Sequence, residues 1–173
     1  MKGAIFFSGK YGSTEQYSKW ISEATGLPVF DIKDARADPS KYDFLVLGSS
    51  ILYFKLTNRK WVKKNLSTLT GRAKILFSVS GAGPSNKLNR WVSNSLPTEL
   101  LSQMEHVALS GKLDHSKVSW WVRLILWMGA LFNPDPAASK DERYGFDYMD
   151  KSSIEPIVRQ VEQFRTREVT GKG

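Results

Sequence analysis

Ser8-Gly9-Lys10-Tyr11-Gly12-Ser13-Thr14 gathers hydroxyls, two glycines and a lysine into seven consecutive residues. That mixture suits an anion: glycines let the backbone approach closely, and hydroxyls and unpaired N–H groups can point at the same oxygen atoms. The flanks give the loop its place. Upstream, Gly3-Ala4-Ile5-Phe6-Phe7 is an unbroken apolar run of strand length, as expected where both faces of a parallel sheet are covered. Downstream, Tyr17, Trp20, Ile21 and Ala24 recur at helical spacing. The loop therefore joins the C-terminal end of a strand to a helix N-terminus, where the dipole's positive end favours a phosphate. A plainer role is also open, because Ser13 and Gln16 have capping-box spacing and Ser13 would then simply close the helix.

Neither G-x-G-x-x-G nor G-x-x-x-x-G-K-[ST] occurs in this loop, so the dinucleotide fingerprint and the nucleoside-triphosphate loop are not supported. The pattern of hydroxyl, three residues, Gly, hydroxyl, Thr resembles the FMN-phosphate loop of the flavodoxin superfamily. What that resemblance implies is an FMN phosphate held by Ser8, Lys10, Tyr11, Gly12, Ser13 and Thr14.

The elements that must position this loop can be read in order. After Gly26, Leu27-Pro28-Val29-Phe30-Asp31 reads as a second strand and Phe44-Leu45-Val46-Leu47-Gly48 as a third. A capped helix beginning near Thr57 or Asn58 carries Trp61, Val62, Leu66 and Leu69 inward and Lys55, Arg59, Lys60, Lys63 and Lys64 outward. Such a basic face attracts carboxylates or phosphates, or is simply solvated. Lys74 to Val79 reads as a fourth strand, Ser85 to Leu96 as a helix, and Glu105 to Gly111 as a fifth strand. Ser152 with Glu155 has the spacing of a second capping box, ahead of a last helix burying Ile154, Ile157, Val158, Val161 and Phe164. This alternation predicts an α/β, flavodoxin-like, doubly wound parallel sheet of five strands in the order 2-1-3-4-5, within a single domain spanning 1–173.

In such a sheet, ligands bind outside the carboxyl ends of the strands where the order reverses, a rule flavodoxins illustrate. Two further loops meet that requirement. Ser49, Ser50, Ile51, Leu52 and Tyr53, followed by Phe54, form an apolar tip after the third strand, which a flat ring would cover unless the tip begins the next packed segment. Ser80, Gly81, Ala82 and Gly83 follow the fourth strand, where small residues let backbone amides reach a planar ligand's edge; a plain Gly-rich turn is the alternative.

Composition narrows the chemistry. The 173 residues include no cysteine, which excludes a cysteine-ligated cluster, a thiol nucleophile and a disulfide framework. His106 and His115 build no metal constellation. Lys and Arg number 25 against 17 Asp and Glu, a formal charge of +8, and the sequence pI is about 9.7. That balance points to an anionic lipid surface or an anionic substrate; an acidic soluble protein would suit the positive charge alone. No nucleic-acid-binding signature is present, so nucleic acid is not expected as a partner. The N-terminal apolar run is too short for a signal peptide, which makes the cytoplasm the expected compartment.

Trp120-Trp121-Val122-Arg123-Leu124-Ile125-Leu126-Trp127-Met128-Gly129-Ala130-Leu131-Phe132, expected as a hydrophobic helical insertion after the fifth strand, is apolar almost all round and carries one charge. A spanning helix needs about 20 residues, so this stretch would lie in the interface of an anionic membrane, pack in the core, or form a contact in a homo-oligomer. With it, the chain resembles the flavodoxin-type, menaquinone-dependent protoporphyrinogen oxidase family from Gly3 to Phe164. The matching pieces are Ser8-x-x-x-Gly12-Ser13-Thr14, Gly48-Ser49-Ser50-Ile51-x-Tyr53, Ser110-Gly111-x-Leu113 and the insertion from Trp120 to Phe132. The resemblance implies bound FMN, oxidation of protoporphyrinogen IX, and electron delivery to a membrane quinone by a protein peripheral to the inner face of the cell membrane. The alternative is a flavodoxin-like electron-transfer protein serving another oxidoreductase. No nucleophile triad, carboxylate dyad or metal ligand set is expected in either case.

Overall fold

The computed structural model describes residues 1–34, 36–81, 85–113 and 146–170. Ala82, Gly83, His115 and the apolar insertion at 120–132 lie outside the described residues. Five parallel strands form the sheet: β1 (Gly3–Ser8), β2 (Val29–Asp31), β3 (Phe44–Leu52), β5 (Ala73–Ser80) and β6 (Glu105–Ser110), in the order β2-β1-β3-β5-β6. Counting those parallel strands alone gives the expected 2-1-3-4-5. A short β4 (Lys55–Leu56) is an addition to it, antiparallel to the end of β3. A further pair, β7 (Lys112–Leu113) with β8 (Phe146–Asp147), lies outside the sheet.

The apolar runs are continuous because successive side chains serve two cores. Phe6, Leu45, Leu47 and Leu76 face one layer with Val62, Leu69, Leu88 and Leu100. Ile5, Val46, Ile75 and Phe77 face the other with Tyr17, Ile21, Ile157 and Val161. The first layer therefore holds α2 (Arg59–Lys64), α3 (Leu66–Leu69), α4 (Asn86–Ser93) and α5 (Thr98–Leu101); the second holds α1 (Ser13–Thr25) and α6 (Glu155–Thr170).

Several helix starts differ from the sequence expectation. The N-cap of α1 is Gly12, at φ 93°, and no side chain caps the helix; the Ser13–Gln16 capping box does not form. The reason is that the Ser13 hydroxyl is engaged elsewhere, by the Lys112 backbone N–H at 3.1 Å. Asn58 precedes α2 without a side-chain cap, and Thr57, the other candidate, turns its hydroxyl to the Ser8 carbonyl at 2.9 Å. The single helix expected to follow is divided at Asn65, whose side-chain amide and backbone N–H both bond the Trp61 carbonyl and end α2. At the C-terminus, Asp150 rather than Ser152 is the cap: it accepts from Ser152 N–H at 2.8 Å and opens a 3-10 turn (Lys151–Ile154) that runs into α6. Ser85 does cap α4, accepting from Leu88 N–H at 3.2 Å. Asn, Ser and Asp compete locally for backbone groups, and spacing alone does not say which one wins.

Candidate functional site

At the carboxyl ends of β1, β3 and β5 lies a cavity of about 140 Å³ walled by loop residues from all three strands. Tyr11, Ser13 and Thr14 come from the loop after β1, Ser50, Ile51 and Leu52 from the end of β3, and Ser80 and Gly81 from the end of β5. The sequence thus marks eight of its walls. Val79, Gly111, Lys112 and Phe146 complete it. Small-molecule sites typically enclose about 300–1,000 Å³. This cavity continues into an open depression of about 480 Å³ that shares Tyr11, Ser13 and Lys112 with it and adds Gly12, Gln16 and Trp20.

Two features leave this site short of partners. The Thr14 and Ser80 hydroxyl oxygens are buried and make no hydrogen bond. Because no side chain caps α1, its first-turn N–H groups also lack the acceptor that a cap would supply. Buried polar groups are nearly always paired, so two orphans in one cavity are a place for a ligand's polar atoms. Gly9 makes room for Thr14, since a Cβ there would stand 3.0 Å from the Thr14 Cβ.

Other marked residues support the walls. The Thr57 hydroxyl donates to the Ser8 carbonyl at 2.9 Å and lies 3.1 Å from the Ser49 hydroxyl and 3.4 Å from that of Ser50. This network ties the end of β1 to the end of β3, with Ser8 and Ser49 buried in it rather than in the cavity wall. Lys10 is exposed, with its ammonium 5.5 Å from the centre of the Tyr11 ring.

The expected loop after the third strand is instead a hairpin. β3 runs on to Leu52 and pairs Ile51 with Leu56 and Leu52 with Lys55. Tyr53 and Phe54 turn the corner at φ 49° and 63°, and their side chains are 70% and 66% exposed. Bulky residues rarely adopt this left-handed geometry, and where they do the strain tends to sit at a functional site. Ile51 and Leu52 are half-buried, so the hairpin and not the whole stretch forms the exposed tip.

Phe146 is the wall that spacing could not reveal. Its ring packs on Gly81, where a Cβ would come within 2.3 Å of it, and stacks on Tyr148 at 5.0 Å. Nearby, Lys112 and Asp147 form an ion pair at 2.8 Å, and that hydrogen bond holds the Asp147 carboxyl below the usual carboxylate range. The only sequence signals were the Ser110-Gly111 pair and the basic residue after it; the partner strand is more than thirty residues away. His106 serves the sheet: its Nε2 lies 2.8 Å from the buried Ser78 hydroxyl, and desolvation pushes its pKa down.

Among the described residues, the cavity wall holds no carboxylate or imidazole, and its one ammonium pairs with Asp147, the carboxylate that lines the adjoining depression. Such a wall can hold an anion, a flat apolar body and a polar edge. The family comparison fits the strand order. The family model described as Flavodoxin domain matches residues 4–136. The chain belongs to the flavodoxin-domain family. Proteins of this family typically bind FMN. Among solved structures, the chain is similar to the Trp repressor binding protein from Bacillus subtilis, with 11% identity and a TM-score of 0.49 over 82% of this chain and 96% of that one. It is also similar to a flavodoxin from the domain Archaea, with 11% identity and a TM-score of 0.42 over 94% and 99% of the two chains. No curated protein matches the sequence.

Proposed function

We propose that this protein is an FMN-dependent oxidoreductase that passes electrons between a reduced donor and an external acceptor. The observation that carries the reading is the cavity at the switch between β1 and β3, with the orphaned Thr14 and Ser80 hydroxyls and the uncapped start of α1 in or beside it. These groups fit FMN by donor chemistry: N–H groups and the Thr14 hydroxyl for a phosphate, an apolar wall of Ile51, Leu52, Val79 and Phe146 for a ring, and Ser80 and Gly81 for its polar edge. Ser8, Ser49 and Thr57 would keep the first two loops in register. Lys10 and Gly12 belong to the same loop, Tyr53 stands at its rim, and Ala82 and Gly83 continue the third loop. When bound, FMN supplies the redox chemistry; the protein binds, orients and shields it.

The finer reading is protoporphyrinogen as donor and a membrane quinone as acceptor. It is supported by the motif resemblance and by the basic helix α2, which follows directly on the hairpin at the rim. Arg59 and Lys63 would then attract the propionates. Contact of residues 120–132 with an anionic membrane, or with a second copy of the chain, belongs to this reading.

Purified protein should quench the fluorescence of added FMN and take it up at one per chain. Gly81→Leu, which drives a side chain into the Phe146 ring, should lower the affinity at least tenfold. No quenching and no shift in the flavin absorption band would refute the flavin reading. In an anaerobic assay with protoporphyrinogen and a menaquinone analogue, turnover supports the finer reading. A folded, flavin-loaded preparation without turnover favours the electron carrier.

A further inference from the structure

The net positive charge is concentrated in one stretch of chain. Residues 44–98 hold nine of the 25 Lys and Arg and none of the 17 Asp and Glu; everything outside holds sixteen basic and seventeen acidic residues. The whole formal charge of +8 therefore belongs to about a third of the sequence. In the fold, that third supplies the hairpin, α2, α3 and α4.

These pieces make one surface. Val62 of α2 and Leu88 and Val92 of α4 pack in the same core cluster, on the same side of the sheet. Phe54 at the hairpin tip meets Trp91 of α4, with ring centres 5.1 Å apart. Lys55, Lys60, Lys63, Lys64, Lys87 and Arg90 are exposed there. Among the described residues, none of the six makes an ion pair. At the edge nearest the cavity, Tyr53 and Phe54 expose most of their surface, held out by a left-handed turn.

We infer that this face docks an acidic redox protein, with Tyr53 and Phe54 as the apolar anchor of the contact beside the cavity and the lysines of α2 and α4 as its charged field. Aromatic anchors beside charged residues are features of protein interfaces, and a large single-sign field is the device that steers a transient partner to one orientation. A bilayer fits less well. Interfacial membrane binding scales with the apolar area inserted, and among the described residues this face offers two largely exposed aromatic side chains, Tyr53 and Phe54. The hairpin links the two functions of this end of the molecule: Ile51 and Leu52 wall the cavity, and the next two residues meet the partner. What docking accomplishes rests on the flavin reading, since it would bring the partner's redox centre to the rim of that cavity.

The probe is the acidic soluble domain of cytochrome b5, with basic cytochrome c as the opposite control. Binding is measured by calorimetry on both the apoprotein and the FMN-treated protein, so the result does not depend on whether FMN is taken up. We expect cytochrome b5, and not cytochrome c, to bind at 20 mM salt, and the affinity to fall about tenfold or more at 300 mM as the charges are screened. The triple variant K60E/K63E/K64E should weaken binding at least tenfold, and Phe54→Ser severalfold. Arg165→Glu, on α6 in the opposite layer, should leave binding unchanged. Circular dichroism confirms that each variant is folded. Failure of the wild-type protein to bind cytochrome b5 at low salt, or equal binding by the triple variant, overturns the proposal. So does binding to vesicles of one part phosphatidylglycerol to three parts phosphatidylcholine that the triple variant abolishes while cytochrome b5 does not bind. That outcome would assign the face to a membrane.

Discussion

Thr14 and Ser80 carry hydroxyl oxygens that are buried without partners, and such atoms have a dual consequence. In the unliganded protein they cost free energy, so replacing them with apolar groups of similar shape is neutral or stabilising. In the complex, the same replacement removes a hydrogen bond worth about 0.5–1.5 kcal/mol, or about 1.5–3 kcal/mol when the acceptor is charged. Thr14→Val should therefore leave the thermal midpoint of the apoprotein unchanged or slightly higher while weakening FMN about tenfold or more. A midpoint that falls, with FMN affinity intact, would mean that Thr14 has a structural role alone. His106 gives a residue-scale pH dependence. Desolvation lowers its pKa in the fold below the ordinary 6.5, so as pH drops below 6.5 the unfolded chain takes up the proton first. Its contribution is present above 6.5 and is lost as pH falls through the lowered value. Urea unfolding from pH 7.5 to 5 should show declining stability, and His106→Gln should flatten part of that decline. Much of the residue-scale chemistry was legible in the sequence, since hydroxyl type and glycine spacing are local facts. What was hidden is how Ser13 is used: its partner Lys112 is 99 residues away, and only the fold brings that N–H to the hydroxyl.

The parallel strands were legible because burial on both faces leaves continuous apolar runs, and Phe44 to Leu47 needs no periodicity to be read as one. The hairpin was not, for a physical reason. Two-residue hairpin turns with positive φ at both positions favour Asn-Gly, and here Tyr53-Phe54 occupies them, against turn chemistry. A sequence reading sees two aromatics and expects packing or a ligand. The left-handed conformation costs a residue with a Cβ roughly 1–2 kcal/mol. Replacing Tyr53-Phe54 by Asn-Gly should consequently stabilise the fold by about 1–3 kcal/mol, a rise in midpoint of several degrees for a chain of this size. The same variant should bind the acidic partner at least tenfold more weakly, because the apolar anchor of the contact is gone. Stability that rises while binding falls is the signature of strain retained for function. Loss of stability would show instead that the Phe54–Trp91 contact outweighs the turn.

At the scale of the whole molecule, the C-terminal segment closes the cavity that the N-terminal loop opens. Phe146 packs on Gly81, Lys112 pairs with Asp147, and Tyr17 bridges them from α1. The fully buried Tyr17 donates its hydroxyl to the Ser110 carbonyl at 2.8 Å and accepts from the Asp150 N–H at 3.1 Å, bonds spanning 93 and 133 residues of sequence. Sequence periodicity identified Tyr17 only as an inward-facing helical residue, because neither partner is local. One phenol oxygen thus joins the start of α1, the end of β6 and the lead into α6, three elements that each abut the candidate site. Tyr17→Phe keeps the ring and its packing against Trp20 but leaves a backbone donor and an acceptor without their partner, at a cost of about 1–3 kcal/mol. Amide hydrogen exchange should quicken first in residues 146–158, with the sheet strands β1, β3 and β5 retaining their protection. FMN affinity should fall as well, since Phe146 and Lys112 are walls of the cavity although Tyr17 is not. Uniformly faster exchange across the sheet would instead make Tyr17 a general core residue. Unchanged exchange with unchanged affinity would show that the C-terminal segment is held by the burial of Ile154, Ile157 and Val161 alone.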